Sequence, residues 1–111
     1  MIQEEIKRIG KLYGLNPKFK KNGELYKNSY KEFQDKVNWV VISYYQELSE
    51  EFIDEFQDKV NWDNISSEQK LSGEFIRKFY HKISFNLLFK NENISEEIKN
   101  KYKLIRDVIE S

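Results

Sequence analysis

Apolar and polar positions along this chain recur together every 23 residues. The octapeptide EFQDKVNW occupies Glu32–Trp39 and returns unchanged at Glu55–Trp62. A further step of 23 reaches KFYHKISF, Lys78–Phe85, in which each apolar position keeps its character. The register continues outside the octapeptide. Leu25, Leu48, Leu71 and Ile94 form one column and Phe33, Phe56, Phe79 and Tyr102 another. Ile42, Ile65 and Leu88 align, as do Phe52, Phe75 and Ile98. Identity at this level, supported by matching columns, marks an internal repeat with units at 25-47, 48-70 and 71-93 and a shortened last unit at 94-111.

Within a unit, LSEEFIDEFQDKV predicts a helix. Ser49 is a good N-cap, and Glu50 and Glu51 place negative charge in the first turn, where the helix dipole favours it. Leu48 and Ile53 have the spacing of a hydrophobic staple. Phe52, Ile53, Phe56 and Val60 fall on one face, with Asp54, Gln57 and Asp58 opposite. Asn61 is placed to end this helix, because Asn tolerates the left-handed conformation. The remainder, WDNISSEQK, predicts a second, shorter helical turn with Trp62 and Ile65 inward and Ser66 with Gln69 as a capping pair. Two short helices cannot bury their apolar faces alone, whereas stacked neighbours can.

The two ends differ from the middle. Ile2, Ile6, Ile9, Leu12 and Tyr13 predict an amphipathic N-terminal helix that Gly14 closes, followed by LNPKFKKNG. Residues 15-26 read as a loop, as a degenerate repeat or as a hairpin turning at Asn22-Gly23 and pairing Phe19 with Leu25. At the other end Ile98, Tyr102, Ile105 and Ile109 make one continuous stripe, as expected of a capping helix. The expected fold class is therefore all-α: a short, solenoid-like helical-repeat array of about three 23-residue units between an N-terminal helix and a C-terminal cap. Residues 1-24 and 25-111 are expected to form one domain.

Composition adds charge segregation. The 19 basic and 19 acidic residues cancel overall, yet residues 1-31 carry +5, residues 32-79 carry -6 and residues 80-111 carry +1. With no Cys, disulfides and thiol chemistry are excluded, and no apolar run approaches the roughly 20 residues of a membrane span. The start, MIQEEIKRIG, lacks the apolar block of a secretory signal, so a cytoplasmic product is expected. Phe, Tyr, Met, Ile, Asn and Lys number 54, whereas Gly, Ala, Arg and Pro number 8, a bias that points to an AT-rich genome.

Candidate chemistry is sparse. His81 is the single imidazole and falls on a polar helix face, the glycines at 10, 14, 23 and 73 are isolated, and no phosphate loop, nucleophile elbow or metal-ligand pair is present. The expectation is a protein that is not an enzyme, with no cofactor and no metal. Three surfaces remain. Glu47, Glu50, Glu51, Asp54, Glu55 and Asp58, preceded by Glu32 and Asp35, form an acidic strip that suits either solvent or a basic partner. Lys18, Lys20, Lys21, Lys27 and Lys31, interleaved with Tyr13, Phe19, Tyr26 and Tyr30, form the best nucleic-acid patch. Trp39, Trp62 and Phe85 form an aromatic column that either fills the seam between units or stacks bases. With Phe52, Phe56, Phe75 and Phe79, that column makes up the expected core.

The unit N-W-x-x-I-S-x-x-Q-x-L-S-x-E-F-I-x-x-F, carried by Asn61–Phe79 and in register by Asn38–Phe56, resembles a short tandem repeat of uncharacterised proteins from large DNA viruses, low-GC bacteria and their phages. Its period is also similar to that of leucine-rich variant solenoids, with far more aromatic side chains. The resemblance spans about residues 25 to 93 and implies no catalytic residues. Another protein is the expected partner of such a module. The alternative is a phage- or mobile-element-encoded inhibitor of a host nucleic-acid enzyme, of the anti-CRISPR type and acting by occlusion. A nucleic-acid-binding module is the third reading.

Overall fold

The computed structural model describes residues 2–110, and the side chains of residues 2–106. Ile109, placed by its spacing in the C-terminal stripe, lies outside the described side chains. The described chain is all-helical: α1 (Gln3–Leu12), α2 (Lys27–Lys36), α3 (Trp39–Tyr45), α4 (Glu50–Glu55), α5 (Trp62–Glu68), α6 (Gly73–Lys78), α7 (Phe85–Leu88) and α8 (Glu96–Glu110). The molecule measures 50 × 25 × 20 Å, and its radius of gyration of 15.7 Å exceeds the roughly 13 Å of a compact globule of this length. The elongation follows from the packing of α3 on α5 and of α5 on α7. None of the described helices is long and apolar enough to cross a membrane.

Of the three readings of residues 15-26, the hairpin is the one adopted. Phe19 and Leu25 form an isolated antiparallel bridge, the Asn22 side chain accepts the Glu24 N–H at 3.0 Å, and Gly23 takes the left-handed turn position at φ 94°. No longer strand forms among the described residues.

The helices in the middle of the chain are shorter than their apolar pattern predicts. The expected long helix from Glu50 stops at Glu55, and a turn carries the chain to Asn61. The same octapeptide, in its first copy, stays helical to Lys36. The side-chain contacts of the two copies differ. In the first copy Lys31 pairs with Asp35 at 3.4 Å, an i,i+4 attraction that supports the helix. In the second, Asp54 and Asp58 occupy those positions as like charges, and Gln57 Nε2 folds back onto the Asp54 carbonyl at 3.1 Å. Asn61 does not end the preceding helix. It is extended at φ -87°, ψ 105°, and its side chain caps α5 by accepting the Asn64 N–H at 2.9 Å. Asn38 does the same for α3, while Ser49 and Ser72 cap α4 and α6.

Packing follows the apolar columns. Phe33, Phe52, Ile42, Ile53, Ile65, Ile76 and Leu88 are at most 1 % exposed. Trp39 packs on Phe52 and Phe56 at ring separations of 6.1 and 5.1 Å, and Trp62 on Phe75 and Phe79 at 6.2 and 5.2 Å. Both indoles are half-buried, and their N–H groups donate to the Gln34 and Gln57 carbonyls at 2.9 Å. Phe75, Phe79 and Phe85 are buried, the last against Tyr102 at 5.3 Å.

Polar links join helices that are distant along the chain. Gln69 Nε2 donates to the Ser43 and Gln46 carbonyls at 2.9 and 2.7 Å, and its Oε1 accepts the Leu48 N–H at 2.9 Å. Asn91 Nδ2 donates to the Ser66 and Gln69 carbonyls at 2.9 and 2.8 Å. Ser43 and Ser66 accept the N–H groups of Asn61 and Ser84, each at 3.0 Å. Ser66 and Gln69 therefore do not form a capping pair with each other: the Gln69 backbone N–H closes α5 on the Ile65 carbonyl, the Ser66 hydroxyl donates to the Trp62 carbonyl at 2.7 Å, and both side chains also tie α5 to its neighbours. No described buried side-chain polar atom lacks a partner, which offsets the cost of placing amides inside the protein.

Candidate protein interface

α3 and α5 have the same inward residues and opposite outward ones. Both begin after an Asn cap and bury an Ile followed by a Ser: Ile42 and Ser43 in α3, Ile65 and Ser66 in α5. Residues one, two, five and six places after each cap's Trp share a helix face pointing away from those positions. In α5 they are Asp63, Asn64, Ser67 and Glu68; in α3 they are Val40, Val41, Tyr44 and Tyr45. These four are 54, 40, 44 and 75 % exposed, so α3 presents an apolar and aromatic surface to solvent. Aliphatic and aromatic side chains grouped in this way on one exposed face are often associated with recognition.

The Tyr44 and Tyr45 rings lie 4.7 Å apart at 60°, forming one aromatic edge. The negative charge of Glu68 and a hydrogen bond to it push the Tyr44 phenol above its ordinary pKa. Asn64 Nδ2 donates to the Val40 carbonyl at 3.0 Å and holds α5 alongside. Between the helices lies an open depression of about 420 Å³, lined by Tyr44, Tyr45, Glu47, Glu68, Lys70 and Asn93.

The acidic strip divides in two. Glu50 is half-buried and accepts from the Ser72 N–H and hydroxyl at 2.6 and 3.0 Å. Asp54 pairs with Lys78 and accepts from Gln57. These two carboxylates are therefore structural links between α4 and α6. Glu47, Glu51, Glu55 and Asp58 are exposed, as are Glu32 and Asp35. Burial first, then the charges of Glu55 and Asp58, raises the pKa of the Tyr30 hydroxyl.

Lys18, Lys20, Lys21, Lys27 and Lys31 are all exposed, with Lys20 paired to Glu24 at 3.8 Å and Lys31 to Asp35. Of the aromatics interleaved with them, Tyr13, Phe19 and Tyr30 pack against the core and Tyr26 is exposed, so they do not present a run of open ring faces. Near them, a depression of about 360 Å³ is lined by Ile6, Phe19, Leu25, Tyr30, Glu24 and Glu55. His81 is exposed, its ring edge-on to Tyr80 at 5.6 Å. Among the described residues no group of three His, Cys, Asp or Glu side chains converges as a metal site.

No family model, curated protein or solved structure matches this chain. Its functional residues must therefore be read from its own geometry. Val40, Val41, Tyr44 and Tyr45 do not stand out while the apolar columns are being matched. The signal that finds them is in the same alignment: they are the positions at which units with equal inward residues diverge most in polarity.

Proposed function

We propose that this chain is a non-enzymatic protein-binding module, built as a solenoid-like array of 23-residue units, in which the outward face of α3 is the docking surface. One observation carries the reading: the exposed Val40, Val41, Tyr44 and Tyr45 stand where α5 has Asp63, Asn64, Ser67 and Glu68. Exposed apolar clusters cost solubility, and a helix of the same design in this chain does without one. The array is supported by links that recur at the repeat spacing, among them Trp39 on Phe56 and Trp62 on Phe79. α1 supports it too, because Glu5 accepts from Ser49 N–H and Oγ at 2.8 and 2.6 Å, as Glu50 does from Ser72. α1 thus makes toward the second unit the contact that α4 makes toward the third.

The alternative, inhibition of a nucleic-acid enzyme by an acidic strip, draws support from the exposed Glu47, Glu51, Glu55 and Asp58. The engagement of Glu50 and Asp54 within the fold leaves it a smaller surface. A photo-crosslinking residue placed at Tyr45, or in register at Glu68, separates the readings in lysate of the cells that carry the gene. The proposal expects discrete adducts from position 45 that are missing from position 68. Equal adduct patterns, or none from position 45, reject it.

A further inference from the structure

The reading of α3 as a docking surface leaves open what occupies it, and three features of the surface narrow the choice. First, the occupant must bring its own satisfied backbone. Among the described residues no sheet edge is present to receive an extended peptide, and the α3 face offers methyl groups and rings rather than backbone donors. A helix meets that condition, since its backbone groups bond to one another. Val40, Val41, Tyr44 and Tyr45 span about 8 Å along α3, a length that two turns of a partner helix cover with apolar residues at i, i+3 or i+4, and i+7.

Second, the edge of the surface is acidic, which disfavours a second copy of this chain: a two-fold contact centred on α3 brings the carboxylates beside the patch, Glu47 and Glu68, towards their counterparts.

Third, charge and aromaticity point to one kind of cation. Glu47 and Glu68 line the depression next to Tyr44 and Tyr45, against a single Lys70 in the same lining. The segment from Glu32 to Phe79 that contains them carries -6. A guanidinium can lie on a tyrosine face while its N–H fork reaches a carboxylate, which an ammonium does less well.

We propose that α3 docks a short amphipathic helix of another protein, its apolar stripe on Val40, Val41, Tyr44 and Tyr45 and an arginine at its edge set between Tyr45 and the carboxylates of Glu47 and Glu68. The inference rests on the docking role of α3 and adds the partner's chemistry. It follows that binding weakens as salt screens the edge contact, and that lysine replaces arginine with loss.

The test is a selection of random 16-residue displayed peptides on the full chain. The fourfold variant V40D/V41N/Y44S/Y45E, which gives α3 the outward residues of α5, serves as counter-selection. Circular dichroism of the variant establishes that it is folded; α5 already carries that set on the same framework. The expected result is a pool of peptides with apolar residues at helical spacing and flanking arginines. These peptides should bind the fourfold variant about 100-fold more weakly, and an E47Q/E68Q variant about tenfold more weakly. Enriched peptides that depend on the α3 face but are acidic, or that bind E47Q/E68Q unchanged, overturn the partner class while leaving the docking role in place. Peptides indifferent to the fourfold change, or no enrichment at all, overturn both. A chain that dimerises through α3 in sedimentation, with the fourfold variant monomeric, overturns the partner class in favour of a second copy.

Discussion

α3 and α5 are two solutions to the same packing problem with different surfaces. Inward, Trp39 and Trp62, Ile42 and Ile65, and Ser43 and Ser66 occupy matching places and make matching contacts. Outward, Val40, Val41, Tyr44 and Tyr45 replace Asp63, Asn64, Ser67 and Glu68. Positions that pack α3 against α5 leave little freedom, because interiors are close-packed and a buried polar link must be complete. Positions on the far side of the same helix are free to diverge. Between helices with equal inward residues, the place to look for specificity is thus where the outward ones differ.

The comparison breaks most severely if the shared inward framework is cut. Phe56, 1 % exposed, touches the rings of Tyr30, Phe33, Trp39 and Phe52, so Phe56→Ala should cost about 3–5 kcal/mol in urea unfolding. Ile42→Ala and Ile65→Ala should each cost about 2–5 kcal/mol, and by similar amounts, since both are at most 1 % exposed in equivalent places. A large inequality between them in the same unfolding assay would show that the two helices are not equivalent.

A smaller effect is expected from the amide that joins them. Gln69→Ala leaves the Ser43 and Gln46 carbonyls and the Leu48 N–H without their partner, and should lower stability by about 1–3 kcal/mol. Hydrogen exchange should quicken first at Leu48. The exchange of outward faces should cost least: V40D/V41N/Y44S/Y45E is expected to stay within about 0.5 kcal/mol of the parent chain while losing α3-dependent binding. The reciprocal variant D63V/N64V/S67Y/E68Y should gain a second docking face.

The finest difference is electrostatic. Tyr44 titrates above its ordinary 10.0 because of the Glu68 charge and hydrogen bond, so Glu68→Gln should bring its midpoint back down, read from tyrosinate absorbance. Tyr30, raised chiefly by burial, should keep its high midpoint in that variant. A hydroxyl whose folded pKa lies above its unfolded value holds its proton more tightly when folded. Its contribution to stability is therefore complete below about pH 10 and is lost as the pH climbs through the folded value.

The periodic columns made the all-helical fold and the buried positions of Phe33, Phe52, Phe56 and Phe79 readable before any coordinates. They did not reveal where the helices end. Asn61 looked like a terminator because a single residue type serves both helix ends, and only its extended backbone and its bond to Asn64 assign it to α5. Ser66 and Gln69 have the spacing of a local cap, whereas, beyond the bond of Ser66 Oγ to the Trp62 carbonyl, their side-chain partners lie 18 to 26 residues away along the chain.

The acidic strip is a similar case. A run of carboxylates has one appearance in sequence, yet Glu50 caps Ser72 and Asp54 meets Lys78 while Glu47 and Glu51 face solvent. By itself, then, the sequence determined the helical character and the inward face, because hydrophobic periodicity is a local property that burial rewards in each helix. Only the tertiary structure decided which carboxylates are bound and which apolar side chains are left uncovered. Exposure of Tyr44 and Tyr45 depends on whether another part of the chain covers α3, and no local pattern encodes that.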